Sequence, residues 1–391
     1  PIISRGNWSE GLTTYVSDYL FKEKESESSA RQYRLQILRD YSTIVEPSEE
    51  FALSEFTHRV DPETRVIGYG KSAMFFHMLR RRVGDEIFWK GLRQIYAERL
   101  FQTTSWTDFK EVFEVLSGKP LALFFKQWIS RPGAPVLFLD EIDANPANTE
   151  KKQIHKITGL LVQKAVPYKL QVEMLLETKS DKSKKQVDTT EADAPFIFFS
   201  EAKPRILEVD PDVHIFRRLY PSEIPPSING LKGSGNILVV LSEDRGKPLK
   251  RDIPFLMKAL GVENFDIVSD NNLKKKDLLE RDILWVGYPE NRELFSNFPE
   301  NLRFEKNRFI LNTVEYEKDQ DSFFGVFSHP FSKKHELGLF FPLSAEYAKG
   351  VARKVPHYGK YGYLAFSGEK NRDKGFWRAQ DSPLIYRFSG F

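Results

Sequence analysis

Five residues, RPGAP at 131–135, separate two folding grammars in this chain, because Pro-Gly-Ala-Pro cannot continue a helix. Before them the apolar spacing is helical. Trp8, Leu12, Tyr15, Val16, Tyr19 and Leu20 recur at steps of three and four, which lays them on one face and leaves Glu10, Thr13, Thr14 and Ser17 off it. The same periodicity predicts helices over 33–45, 72–82, 85–100, 106–116 and 121–129, with Ser105 as an N-cap and Gly84 and Gly118 as punctuation. After RPGAP, the runs VLFLDEI, IHKITGLLVQKA, YKLQVEMLLETK, FIFFSE and RILEVD read as strands separated by charged turns such as SDKSKK. With no helix between them they predict an antiparallel β-sandwich over 133–220. The Pro- and Gly-rich stretch 221–235 reads as a linker. From 236 to 391, runs such as ILVVLSE, FDIVSD, ILWVGY, RFILNTV, GLFFPLS and YGYLAFSG alternate with IPFLMKALG, KKKDLLE and SAEYAKGVARKV, which predicts an α/β layered domain with a mostly parallel sheet. The fold class expected is therefore multidomain α+β, with residues 1–132 all helical.

A length of 391 residues suffices for two or three domains, each with its own core. Lys and Arg total 58 against 55 Asp and Glu, and a net charge of +3 is too weak a bias for nucleic acid or an anionic membrane to be the main partner. The absence of cysteine excludes disulfides, thiolate metal sites and thiol nucleophiles. No apolar run reaches the roughly 18 to 20 residues needed to span a bilayer. The opening PIISRGNW shows neither an initiator Met nor a signal-peptide pattern, so the chain is expected to start inside a longer protein. Compartment stays open between periplasmic, extracellular and membrane-associated settings.

Several stretches invite a chemical reading. GSGN precedes the first strand of the last segment, whereas a dinucleotide fingerprint places its glycines after the strand, and DRGKPLKRD there holds only one; a linker explains the cluster better. HELGL at 335–339 begins like the zinc motif H-E-x-x-H, but Leu339 stands where the second imidazole must project, and the run continues as a strand. The histidines at 58, 77, 155, 214, 329, 335 and 357 include no pair at helical ligand spacing, and His77 among Phe75, Phe76 and Met78 reads as a packed or edge-exposed helix residue. Two stretches remain: GNWSEGLTTY at 6–15 and GYGKSAMFFHML at 68–79. On physical grounds alone, Glu10 is either a carboxylate favoured by the helix dipole or one part of a cleft shared with Tyr69.

Together these stretches resemble the zinc aminopeptidase family of aminopeptidase N, which is thermolysin-like around the metal. In that family a glutamate follows the H-E-x-x-H helix as third zinc ligand, in a setting like W-x-N-E-G-F-A-x-Y. Trp8-Ser9-Glu10-Gly11-Leu12-Thr13-Thr14-Tyr15 matches it, with Glu10 on the ligand, Gly11 and Tyr15 on its companions, and Ser9 in place of Asn. The family's Y-x-K-G-A, whose tyrosine stabilises the oxyanion, is matched by Tyr69-Gly70-Lys71-Ser72-Ala73, with Ser72 departing from Gly. Its helical ending, Phe-x-x-Gln-Trp and then Pro-Gly-x-Pro-Val, is matched by the run through Gln127-Trp128 and RPGAPV. The resemblance covers roughly residues 6 to 140, with a looser likeness in the strands beyond; residues 230–391 carry no resemblance that names a family.

The resemblance implies that residues 1–132 form the C-terminal half of a thermolysin-like domain, with Glu10 as zinc ligand, Tyr69 as oxyanion donor and a peptide as substrate. A His-His-Glu set leaves a coordination position at which zinc acidifies water. The spacing of the family motif places H-E-x-x-H before Pro1, so zinc is expected in an intact parent protein and not in this chain alone, which should be catalytically inactive by itself. Its face toward the missing half is expected to be apolar near Trp8 and Tyr69 and to offer a route to self-association. The alternative is a non-catalytic pseudo-peptidase or binding scaffold whose α/β domain recognises a partner.

Overall fold

A computed structural model describes residues 6–148, 153–232, 234–274, 276–291, 293–295, 298–299, 301–332, 334–377, 379 and 381–389. The opening Pro1–Arg5 and Gly233 of the GSGN cluster lie outside the described residues. The chain is mixed helix and sheet with several antiparallel sheets, consistent with a multidomain α+β protein. It divides into two compact units, Pro1–Glu223 with Asp381–Phe391, and Ile224–Gln380.

The first unit opens with α1 (Ser9–Thr14), which widens into a π-helical stretch, Tyr15–Tyr19, and continues as α2 (Leu20–Glu25) and α3 (Glu27–Ile44). Next come α4 (Pro62–Arg65), a second π-helical stretch at Val66–Lys71, and α5 (Ser72–Val83), α6 (Asp85–Arg99), α7 (Trp106–Ser117) and α8 (Ala122–Ile129). Gly84 and Gly118 end α5 and α7 with φ of +92° and +64°, a region open to glycine at little cost. The core of this part is aromatic: Phe75 meets Trp106, Phe124 and Phe125 with ring centroids 5.0 to 5.3 Å apart.

Six strands follow: β1 (Val136–Asn148), β2 (Gln153–Lys164), β3 (Leu170–Thr178), β4 (Lys182–Thr189), β5 (Asp193–Ser200) and β6 (Pro204–Val209). β1-β2-β5 form one antiparallel sheet, and β6-β3-β4 belong to a second. β3 buries every second residue, as a half-covered strand does. The charged run SDKSKK, expected to be a turn, supplies the start of β4; lysines there guard a strand that among the described residues pairs only with β3.

In the second unit, α9 (Ile228–Leu231) falls inside the expected linker. It is followed by β7 (Ile237–Leu241), α10 (Ile253–Ala259), β8 (Phe265–Ser269), α11 (Asp277–Glu280), β9 (Asp282–Val286), β10 (Leu302–Glu305), β11 (Arg308–Leu311), β12 (Val314–Tyr316), β13 (Asp321–Ser328), β14 (Glu336–Pro342), α12 (Ala345–Lys354), β15 (Tyr363–Ser367) and β16 (Lys370–Gly375). The main sheet runs β16-β15-β13-β14-β9-β7-β8. Pairing is parallel from β14 to β8 and antiparallel from β14 to β16, so the sheet is evenly mixed and not mostly parallel. Its two faces bury different sets. Val239, Leu284 and Phe340 pack with α9, α10 and α12, whereas Val240, Trp285 and Phe341 pack with residues of the small antiparallel sheet β10-β11-β12. RFILNTV therefore belongs to a covering sheet and HELGL to the start of β14. The last strand, β17 (Ile385–Arg387), pairs with β6, so the end of the chain folds with the first unit and not with the α/β stretch in which the sequence places it.

Candidate active site

Glu10 is carried on a helix start fixed on both sides. The backbone N–H of buried Asn7 donates to the Phe56 carbonyl (2.7 Å) and its side-chain amide to that of Thr57 (3.0 Å). Asn7 Oδ1 in turn accepts from the Ser9 N–H (3.1 Å) and hydroxyl (2.6 Å), which gives Ser9, the departure from the family's Asn, a local structural partner. Trp8 donates its indole N–H to the Thr104 carbonyl (2.8 Å) and stands edge-on to Phe109 at 4.8 Å. Glu10 sits in the first turn of α1, where exposed backbone N–H groups favour negative charge.

α1 packs on α5 and on the π-helical stretch before it. A Cβ at Gly11 would lie 2.0 Å from Ser72 Oγ and 2.2 Å from its Cβ, so Gly11 is the position that lets α1 approach. The departure at Ser72 is thereby accommodated: its hydroxymethyl group fills the space that Gly11 leaves.

Tyr69 is half-buried on the π-helical stretch, a wider turn frequent at functional positions. Gly68 lies flush against the Phe56 ring, where a Cβ would come within 2.2 Å, and that ring meets Tyr69 edge-on at 6.2 Å. Burial raises the Tyr69 phenol above its ordinary range, and the nearby Glu10 carboxylate raises it further, against the opposing charges of Arg59 and Arg65. Residues 59 positions apart in sequence are thus near enough for the carboxylate to act on the phenol.

Lys71 and Gln127-Trp128 join helices to strands. Lys71 is 1% exposed, and its ammonium donates to the carbonyls of Arg131 (3.2 Å) and Gly133 (2.9 Å) in the RPGAP turn. Burial pushes its pKa down to about 8, offset in part by Glu50. Gln127 exchanges two 3.0 Å hydrogen bonds with the backbone of Lys169, Trp128 packs against Tyr168 at 4.9 Å, and Arg131 lies 3.8 Å over the same tyrosine ring. Lys71, the one charged residue in the run VIGYGKSAMFF, is the sequence signal that could have pointed to a buried ammonium there.

His77 is buried in α5 and faces a partner that spacing did not reveal: its Nε2 lies 3.0 Å from Nδ1 of His214. Among the described residues no group of three His, Asp or Glu side chains is placed to hold a metal ion. Glu10 alone does not fit zinc.

No protein-family profile matches the chain. It is 35% identical over 77 residues to aminopeptidase N of Lactococcus lactis subsp. lactis, covering 20% of this chain and 9% of that protein. It is 30% identical over 152 residues to probable aminopeptidase 2 of Sulfurisphaera tokodaii, covering 37% and 19% respectively. Aminopeptidase A of Legionella pneumophila superposes on 54% of this chain and 23% of its own at a TM-score of 0.42 and 20% identity, below the level that establishes a shared fold. The matched segments span less than a fifth of the curated relatives' length. At low identity and over part of its length, the chain is related in sequence to aminopeptidases.

Proposed function

We propose that the first unit is part of the catalytic domain of a zinc aminopeptidase of thermolysin-like fold, in which Glu10 is one metal ligand and Tyr69 donates a hydrogen bond to the carbonyl oxygen of the scissile peptide. The observation that carries the reading is the packing of the segment bearing Glu10 against the segment bearing Tyr69, locked together at Gly11 and Ser72, with the carboxylate near enough to act on the phenol. Zinc in such a domain supplies Lewis acidity for peptide hydrolysis, and the ligands that would complete the site with Glu10, together with the general base, belong to sequence outside this chain. Within the chain, the contribution is positional. The half-buried Tyr69 hydroxyl has its pKa raised, so it stays protonated near neutral pH and is available as a donor where negative charge develops.

The test uses the full parent protein, with bound metal and aminoacyl-substrate turnover measured separately. Glu10→Ala should lose metal; Tyr69→Phe should keep it and lose on the order of 100-fold in turnover, as removal of an oxyanion donor does. Normal turnover in Tyr69→Phe removes that role. The 391-residue chain by itself should bind no stoichiometric zinc and cleave no reporter substrate, and activity there overturns the assignment of the outside ligands.

A further inference from the structure

In the second unit, the parallel part of the sheet ends at a cleft of about 510 Å³, within the range of small-molecule sites. Open α/β sheets bind ligands beyond the carboxyl ends of their parallel strands, near the point where the connections reverse direction. Here β7 is followed by β8 on one side, whereas β9 and then β14 lie on the other. The crevice directly between β7 and β9 is closed by backbone. Gly287, with φ of +104°, approaches so closely that a Cβ would lie 1.8 Å from Ser242 Oγ, and one at Gly246 would meet the Val286 carbonyl at 2.2 Å. The open space is displaced toward the loop after β14, under the tip of the β10–β11 hairpin.

Three loops supply its polar lining: Asp244 and Arg245 after β7, Lys306 and Asn307 from the hairpin tip, and Ser344 and Ala345 at the start of α12. Arg245 is held across the cleft, donating to the Leu343 carbonyl and to Asn307 Oδ1 (2.8 Å), with its guanidinium 5.9 Å from the Phe341 ring centre. Two of its five N–H donors serve that anchoring, and a planar guanidinium fixed in this way suits an oxyanion. Ser344 is the N-cap of α12, its hydroxyl accepting from the Glu346 N–H, and the Ala345 N–H has no helical acceptor, as at any helix start. Asp244 spends Oδ1 on Ser242 Oγ and the Arg245 N–H, which leaves Oδ2 with the geometry of an acceptor for ligand hydroxyls.

We propose that this cleft binds a small hydroxylated phosphomonoester, its phosphate held by Arg245, Lys306 and the first turn of α12 and its hydroxyls by Asp244. The loop DRGKPLKRD thus contributes through one anchored arginine and not through a glycine cradle.

The isotope-labelled 391-residue chain is titrated with inorganic phosphate, glycerol 3-phosphate and glycerol, following backbone NMR shifts. Phosphate and glycerol 3-phosphate should shift residues 245, 306, 344 and 345, the latter more tightly, and glycerol should not. Lys306→Gln removes an exposed charge, and Ala345→Pro removes one N–H at a first-turn position that tolerates proline after an extended Ser344. Each should weaken glycerol 3-phosphate binding roughly tenfold. No shift at about 20 mM phosphate, equal response to glycerol, or undiminished binding in Lys306→Gln overturns the proposal. If Ala345→Pro disturbs the fold, judged by shifts far from α12, the Lys306→Gln titration decides.

Discussion

The contact between Gly11 and Ser72 shows how one atom fixes a candidate site. Gly11 lies within a helix, where alanine is ordinarily favoured by about 1 kcal/mol. The space that its absent Cβ leaves is taken by Ser72, fully buried in α5. Gly11→Ala should therefore lower stability by about 1 to 3 kcal/mol, the cost of overpacking, and shift Glu10 relative to Tyr69. Ser72→Gly in the same chain should recover most of that loss. Thermal unfolding of the single and double variants measures the coupling, and additive effects would show that the two positions do not compete for space. The motif residues were legible in sequence because their types and order carry the resemblance. Why Gly11 and Ser72 occur together was not legible, since nothing local indicates which helices touch.

At the scale of elements, α5 is tied to the loop after β6 by the two histidines. That loop is bent at Asp210 and Val213, with φ of +49° and +56°, and a β-branched residue in the left-handed region marks strain imposed from outside. Arg31 and Arg34 of α3 supply the restraint by donating to the carbonyls of Pro211, Asp212 and Val213. Desolvation, chiefly, with Arg34, Arg80 and Arg81 nearby, holds His77 far below its ordinary range. His214 is pushed down to about 3 by burial and by Arg81 and Arg34, against Asp212. Below about pH 6.5 the unfolded chain takes up protons on both residues while the folded pair does not, so stability falls as the pH drops toward 3. The slope is at most about 1.4 kcal/mol per pH unit for each histidine. Urea midpoints measured between pH 6.5 and 4 should decline less in His77→Phe/His214→Phe than in the parent chain, and equal slopes would exclude the pair as the source. The histidine pairing escaped the sequence because the partners are 137 residues apart and share no periodicity. β4 escaped for a different reason: its charged residues lie on an edge, where burial does not select an alternating pattern.

For the molecule as a whole, the unexpected feature is the return of the chain end to the first unit. Pro383 accepts from the Leu139 N–H (2.8 Å), Leu384 is buried and its carbonyl accepts from Val209 (2.9 Å), and β17 extends the sheet of β6. Ser382 donates to Glu223 (2.9 Å), which is joined by two 2.8 Å bonds to buried Arg217. Deleting residues 381–391 should destabilise the first unit and leave the second largely unchanged. Calorimetry together with hydrogen exchange resolved by residue checks this: loss of protection at β6 and around Arg217, with the β7–β9 core retained, is the expected pattern. Uniform loss in both units would refute it.

Much of the local order was determined by sequence alone. Helical faces, alternating strands and the break at RPGAP follow from side-chain period and from what proline forbids, and the observed helices 72–83, 85–99, 106–117 and 122–129 begin and end within a residue or two of expectation. Only tertiary structure decided which distant residues meet: Gly11 with Ser72, His77 with His214, Lys71 with the RPGAP turn, and the last strand with β6. It also decided that the main sheet of the second unit is evenly mixed. A single strand's hydrophobic pattern reports whether its faces are covered, whereas its direction relative to a neighbour depends on how intervening chain crosses the sheet.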